Sequence, residues 1–365
     1  AWYQNADEAF DNYRTAFKTE KVSGKDEVVD FVGAGYVHCF ADVNNEAPGR
    51  LSFPNGTRII INLGGHTLTD KAGWNINSSG SNPKSLFMLM NGTVIRPSGS
   101  KGVTYCRQDG TIICKNVIYD STEYAATDLF IDLGCELFVF EDSIVRINEK
   151  SRFSTSGNST APYQQYILFL NTDFEQLGNP TEALFNIGQT LYGKQSCTIV
   201  FDRYSSIKRN SNNWLNLTTK YTDGNKVDHY TPFSYTQGLY FEVGCRISPE
   251  AMPTYGMTYS YLDKAGTHTY TANTDGRHVE VAVINPVAGG IQYTIPTSSA
   301  IPTVSGMNAP IGREAGAFSS SEFMSKVKTE LYCSKAGFEL EYLIGSDLKL
   351  IVALPVWKPG ADMTY

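Results

Sequence analysis

Bond cleavage or proton transfer on a polysaccharide needs carboxylates, histidines or basic side chains gathered in one place. The chain has five histidines, His38, His66, His229, His268 and His278, and no two of them stand at a metal-ligand spacing. Asp132, Glu136, Asp142, Asp173 and Asp202 recur along strand-like segments, with Arg203 and Lys208 close by in sequence. Hard oxygen ligands of this kind suit Ca²⁺, so Ca²⁺ is the one cofactor left open. The competing reading carries more weight: charges alternating along a strand are what a half-buried strand shows to water. Asn273-Thr274-Asp275-Gly276 has the composition of a turn. Gly-x-Ser-x-Gly, a phosphate-binding glycine loop and a dinucleotide fingerprint are all missing. No catalytic residue and no metal ligand is assigned.

The aromatic residues offer a different chemistry. Trp214, Tyr221, Tyr230, Phe233 and Tyr235 fall in one polar stretch, 210–235, together with His229. Tyr163 and Tyr166 border another, 150–162, and Trp74 follows an early strand pair. An exposed ring stacks on the apolar face of a sugar while neighbouring Asn, Ser and Thr hydrogen-bond its hydroxyls. The candidate ligand-binding set is therefore Trp74, Tyr163, Trp214, Tyr221, His229, Tyr230 and Tyr235, with a polysaccharide or a host or plant surface glycan as partner. The competing reading is that these rings pin loops to the scaffold.

Composition narrows the classes. The 365 residues carry a net charge of −7, and the pI is near 5.3. Lys208-Arg209 is the one short basic cluster, which excludes a nucleic-acid partner of the usual basic kind. No apolar run reaches the roughly 18 residues of a transmembrane helix. The first residue is Ala1 and no signal-peptide pattern follows, so the chain reads as a mature form or an excerpt of a secreted or surface-exposed protein. Seven cysteines, Cys39, Cys106, Cys114, Cys135, Cys197, Cys245 and Cys333, contain no C-x-x-C pair. Most sit in apolar runs and read as buried small hydrophobes. A local Cys106–Cys114 disulfide is the alternative.

The elements that must position these residues are mainly strands. Asn5 and Glu8 form a capping box, and Ala6, Ala9, Phe10, Tyr13 and Phe17 recur at helical spacing, which predicts a helix ending before Gly24. Strands are predicted at 28–32 and 35–43. From residue 56 a unit repeats: an apolar strand, a glycine, two variable residues and a return to apolar. It occurs at 59–69, 86–95, 129–138, 183–191 and 238–247. Runs at 111–120, 166–171 and 197–207 supply further strands. Units 20 to 30 residues apart are the period of a solenoid, in which stacked coils share one core. A β-sandwich also has many short strands, but hairpin turns do not regularly join these.

Pro249 and Pro253 suggest a linker. Beyond it, strands at 257–262, 278–284, 291–295, 338–344 and 348–354 and an amphipathic helix at 320–333 suggest a smaller unit. The domains expected are 1–55, an N-terminal helix and capping strands; 56–250, a parallel β-helix; and 251–365, a β-rich C-terminal domain with one helix.

Asn62-Leu63-Gly64-Gly65-His66-Thr67-Leu68 resembles the opening coil of pectate-lyase-like β-helix proteins, of the kind found in surface proteins of Gram-positive bacteria. The resemblance covers roughly residues 1–250 and implies a right-handed parallel β-helix. Pectin hydrolases of this fold carry Asn-Thr-Asp, Asp-Asp, Gly-His-Gly and Arg-x-Lys in that order. Here Asp-Asp and Gly-His-Gly are missing, and Asn273 follows Arg203 and Lys208 instead of preceding them. The superfamily holds lyases, hydrolases, phage tailspikes and adhesins, so the resemblance bears on fold and leaves function open. With no catalytic motif, the expectation is a non-catalytic extracellular surface or adhesion module, with a polysaccharide lyase, glycoside hydrolase or tailspike as the alternative.

Overall fold

Short strands with one apolar face cannot bury it alone. Here they bury it by stacking. The computed structural model describes residues 34–294 except 40, 46–50, 54, 55, 57, 77–84, 101–103, 107–109, 125–127, 134–136, 157–162, 189–194, 224, 243, 254–256, 275–277, 288 and 289. It also describes two hairpins, within 19–28 and 340–355, without their turns. The strands form one 9-stranded and one 16-stranded sheet and three two-stranded ribbons.

One coil shows the plan. Leu137–Glu141 lies on a first sheet, Ile144–Ile147 on a second after a sharp corner, and Arg152–Ser156 on a third. The next coil repeats the path with Tyr163–Leu170, Asp173–Gln176 and Phe185–Gly188, each parallel to its predecessor. Leu86–Ile95 and Thr111–Ser121 run through the first corner as single strands. The first and second sheets are thus two halves of the 16-stranded sheet. The chain is a parallel β-solenoid, mainly β. Side-chain hydrogen bonds between neighbouring coils join residues 25 apart at Asn91 and Asn116 and 29 apart at Asp142 and Asn171. The separation is 33 at Gln176 and Arg209 and 40 at Tyr240 and Glu280.

In four successive coils the first corner takes one non-glycine residue in the left-handed region. Asn91, Asn116, Asp142 and Asn171 supply it, with φ of 59°, 51°, 50° and 46°. Short polar side chains tolerate this conformation. They also stack: the Asn116 amide donates to Asn91 Oδ1 at 3.1 Å, and the Asn171 amide to Asp142 Oδ1 at 2.8 Å. Inside the same corner, the Thr172 hydroxyl donates to the Phe140 carbonyl and Ser205 to that of Phe169. These bonds satisfy backbone groups that the corner removes from the ladder.

Gly92 serves a different need. An added Cβ would stand 2.4 Å from the His66 carbonyl oxygen and 2.5 Å from Leu63 Cβ. Both belong to the preceding corner, where backbone cannot move aside. Gly92→Ala is expected to lower stability by about 1–3 kcal/mol, the usual cost of overpacking; the shift of the urea midpoint measures it.

The interior is lined by inward residues of all three sheets. Phe140, Phe169, Phe201 and Phe241 form a stack on the first sheet, with Phe169 and Phe201 centroids 4.3 Å apart and 7° from parallel. Phe153 and Phe185 stack from the third sheet at 5.5 Å. Cys39, Cys114 and Cys197 are buried, and Cys114 forms no disulfide. Burial pushes the Cys39 thiol up to about 11 and the Cys114 thiol up to about 12. The small-hydrophobe reading holds for these three, and a Cys106–Cys114 disulfide is ruled out.

Several sequence expectations change. Ala34–His38 pairs in parallel with Arg58–Asn62, so the coil begins before residue 56. Thr258–Asp263 and Val279–Val287 pair in parallel with Leu215–Thr218 and Gln237–Glu242, so it continues past residue 250. Pro249 starts a single 3₁₀ turn, Pro249–Ala251, at a solenoid corner, where the Trp214 indole donates to the Ala251 carbonyl at 2.8 Å. Proline's fixed φ serves such a turn as well as a linker. The stretch 150–162 contains the coil strand Arg152–Ser156, and 210–235 contains Leu215–Thr218. The predicted helices at 5–17 and 320–333 lie outside the described residues. At the C-terminal end, the last strands of the first and third sheets each take an antiparallel partner, Gly290–Thr294 and Gly266–Thr271. A hairpin return of this kind supplies a partner for the last parallel strand.

Candidate functional site

The outward face of the third sheet combines regular spacing with small polar side chains. Phe153, Phe185 and Leu215 point inward, so the next residue along each strand points outward. Ser154 pairs with Asn186, Asn186 with Asn216, Asn216 with Ser260, and Ser260 with Thr269. The result is one column of amides and hydroxyls, a rung apart. The Asn216 amide donates to Asn186 Oδ1 at 2.6 Å, which fixes both side chains. Ser154 is buried, Asn186, Asn216 and Ser260 are half-buried and Thr269 is exposed.

A hairpin leaves the solenoid directly after this column. Lys220–Thr222 pairs with Asp228–Tyr230, with Tyr221 opposite His229. The two rings lie 6.4 Å apart. His229 Nε2 is 3.0 Å from Asp223 Oδ2, and Asp223 Oδ1 accepts the backbone N–H of Asn225 and Val227, each at 2.9 Å. The hydrogen bond with His229 is the main reason the Asp223 carboxyl lies below its usual range. This pair fastens the hairpin tip, and a second pair repeats the design: His268 Nε2 lies 3.0 Å from Asp263 Oδ1 at the next hairpin. Tyr221, His229 and Tyr230 are half-buried, Tyr235 is 42% exposed, and Val227 at the tip is 51% exposed.

The two tryptophans take another role. Trp74 and Trp214 are fully buried, at 2% and 0%. Trp74 packs on Phe87 at 4.8 Å and Trp214 on Phe241 at 5.2 Å. They are removed from the ligand-binding set, because inward positions of the third sheet demand volume, and composition alone does not distinguish a core ring from a projected one. Tyr163 opens a strand of the first sheet, and its side chain lies outside the described residues. Tyr221, His229 and Tyr230 remain together on the hairpin, and Tyr235 follows it in sequence.

Among the described residues the carboxylates do not converge; Glu136 and the Asp132 side chain lie outside them. Asp142 stands in the first corner, where it accepts from Asn171. Asp173 is on the outward second sheet, paired with Ser206 and Arg246. Asp202 Oδ1 accepts from the Asn171, Tyr204 and Ser205 backbone N–H groups and from the Ser205 hydroxyl. One rung on, Glu242 Oε2 accepts the Arg203 backbone N–H at 3.1 Å and its Nε at 3.2 Å. Burial pushes the Glu242 carboxyl up. Both oxygens are committed to the corner backbone, which is a structural task. Among the described residues, no group of three or more His, Cys, Asp or Glu is placed to hold a metal ion. Also among them, no helix is long and apolar enough to cross a membrane.

Ser154, Asn186, Asn216 and Ser260 were not singled out from the sequence. Their signal is an in-register column of small polar residues, visible only once the coil length is known, and that length drifts from one coil to the next. No family model, no curated protein and no solved structure matches the chain.

Proposed function

We propose that the protein is a non-catalytic extracellular surface or adhesion module that binds carbohydrate, built on a right-handed β-helix of pectate-lyase-like type. One observation carries the reading: the ordered Asn186–Asn216–Ser260 column on a sheet face, flanked by the 220–230 hairpin with Tyr221 and Tyr230. Rungs about 4.8 Å apart repeat at close to the length of one sugar ring in an extended glycan. Fixed amides and hydroxyls meet sugar hydroxyls, and a tyrosine ring meets the apolar face of the pyranose. Commitment of Asp202 and Glu242 to the corner favours binding over turnover.

A glycan array identifies the ligand, and titration with that glycan tests the site. Tyr221→Ala and Asn216→Leu are each expected to weaken binding at least about tenfold, or 1.4 kcal/mol, with the thermal midpoint of Tyr221→Ala unchanged. Full affinity in both variants overturns the assignment of the face. Release of reducing ends or unsaturated products from any polysaccharide overturns the non-catalytic reading.

A further inference from the structure

The first sheet is buried on both faces, which a solenoid wall facing water is not. Ile59 and Ile61 point into the core, so Ile60 points out. Its column continues in register through Met88, Ile113, Val139, Leu168 and Val200. Every one of these outward residues is apolar and at most 2% exposed. The column ends on Tyr240 and Ala282, each 1% exposed. Eight rungs at about 4.8 Å make an apolar stripe roughly 34 Å long. The outward second sheet is the contrast: there Ile95 and Ile118 are 37% and 39% exposed and charged pairs such as Lys208–Glu175 reach water.

The strands that build the solenoid are the wall itself and do not lie over it, so another part of the chain covers the stripe. Two segments are long enough. The N-terminal one ends in the hairpin Thr19–Val22 and Lys25–Val28, and the second of these strands lies beside Leu51–Phe53 on the third sheet. The C-terminal one leaves at Thr294, from the strand that closes the first sheet. It contains the ribbon Leu340–Ile344 and Leu350–Pro355, which forms a sheet of its own. That ribbon reads Leu-Glu-Tyr-Leu-Ile and Leu-Ile-Val-Ala-Leu-Pro. A two-stranded ribbon is marginal alone, and one apolar at nearly every position needs cover on both faces.

We infer that residues 295–365 lie across the outward face of the first sheet, so that this wall is an internal interface while the Asn186–Asn216–Ser260 part of the third sheet stays open. The two needs match: an apolar wall without cover from the coil, and an apolar ribbon without a core of its own. The interface is a hydrophobic one, and it places the C-terminal segment away from the amide column of the third sheet.

Photo-methionine incorporated into the full chain tests this without altering shape. Met88 and Met90 both alternate outward with Phe87 and Leu89 inward. Irradiation followed by peptide mass spectrometry is expected to link Met88 or Met90 to peptides within 295–365 of the same chain. Links to residues 1–33, links between chains, or none from either methionine overturn the assignment. As an independent measurement, Leu168→Asp in the full chain is expected to speed amide exchange in 340–355 at least about tenfold, while Phe153 and Phe185 on the third sheet keep their protection. Unchanged exchange in 340–355 with the solenoid intact also overturns it.

Discussion

Asp70→Ala is expected to lose about 3–5 kcal/mol of stability, the cost of leaving one partner of a buried ion pair alone. The Arg96 guanidinium meets Asp70 Oδ2 at 2.7 Å, with the two side chains 0% and 2% exposed. Asp70 Oδ1 also accepts from the Asn45 amide at 2.8 Å and the Gly73 backbone N–H at 3.0 Å. Arg96 lies over the Tyr124 ring, 4.9 Å from its centroid. Its charge therefore has a carboxylate, a ring face and little water. Burial pulls the Arg96 pKa down, but Asp70 together with Tyr119 and Tyr124 outweighs burial and holds it above its usual value. Removing the carboxylate takes away the charge and the hydrogen bond that oppose burial and also frees the Asn45 and Gly73 donors. Replacing both charges, as Asp70→Leu with Arg96→Met, is expected to recover most of the loss, because an apolar pair of similar volume is often no worse than a buried ion pair. Urea unfolding of the two variants decides the point. A loss below about 1 kcal/mol for Asp70→Ala would show that Arg96 finds water.

Phe169→Ala is expected to cost about 3–5 kcal/mol, the range for a fully buried phenylalanine. Phe169 is where the sheets meet. It stacks on Phe201 at 4.3 Å and Phe140 at 5.8 Å along the first sheet. It meets Phe174 of the second sheet at 5.8 Å and Phe153 of the third at 6.0 Å edge-on. Each neighbour is held by its own rung, so the walls cannot collapse into the void. Ile118→Ala is the control: at 39% exposure on the outward second sheet, it should cost well under half as much. Calorimetric midpoints of the two variants measure the difference, and equal shifts would mean the core relaxes around the lost ring.

Much of the scaffold was legible because strand periodicity is local. The units at 59–69, 86–95 and 238–247 are strand, corner and strand between the first and second sheets. Two others were out of phase. Residues 129–138 join the third sheet to the first, and the described part of 183–191 contains the third-sheet strand Phe185–Gly188. A strand–glycine–strand pattern does not say which of three corners it turns. The repeated glycine does not always make the turn: at the second unit Asn91 takes the left-handed conformation and Gly92 gives room to the His66 carbonyl.

The sequence by itself determined the strand-and-turn rhythm, the parallel stacking and the inward place of Cys39, Cys114 and Cys197. These follow from alternation and from the inability of one coil to close its own core. Only the tertiary structure decided where the stack ends, that Trp74 and Trp214 are core, that Asp202 and Glu242 hold backbone, and that the first sheet is covered on both faces. Those are matters of register. Residues 25 to 40 positions apart become neighbours only after the coil lengths are set, and those lengths vary because corners accept insertions at little cost.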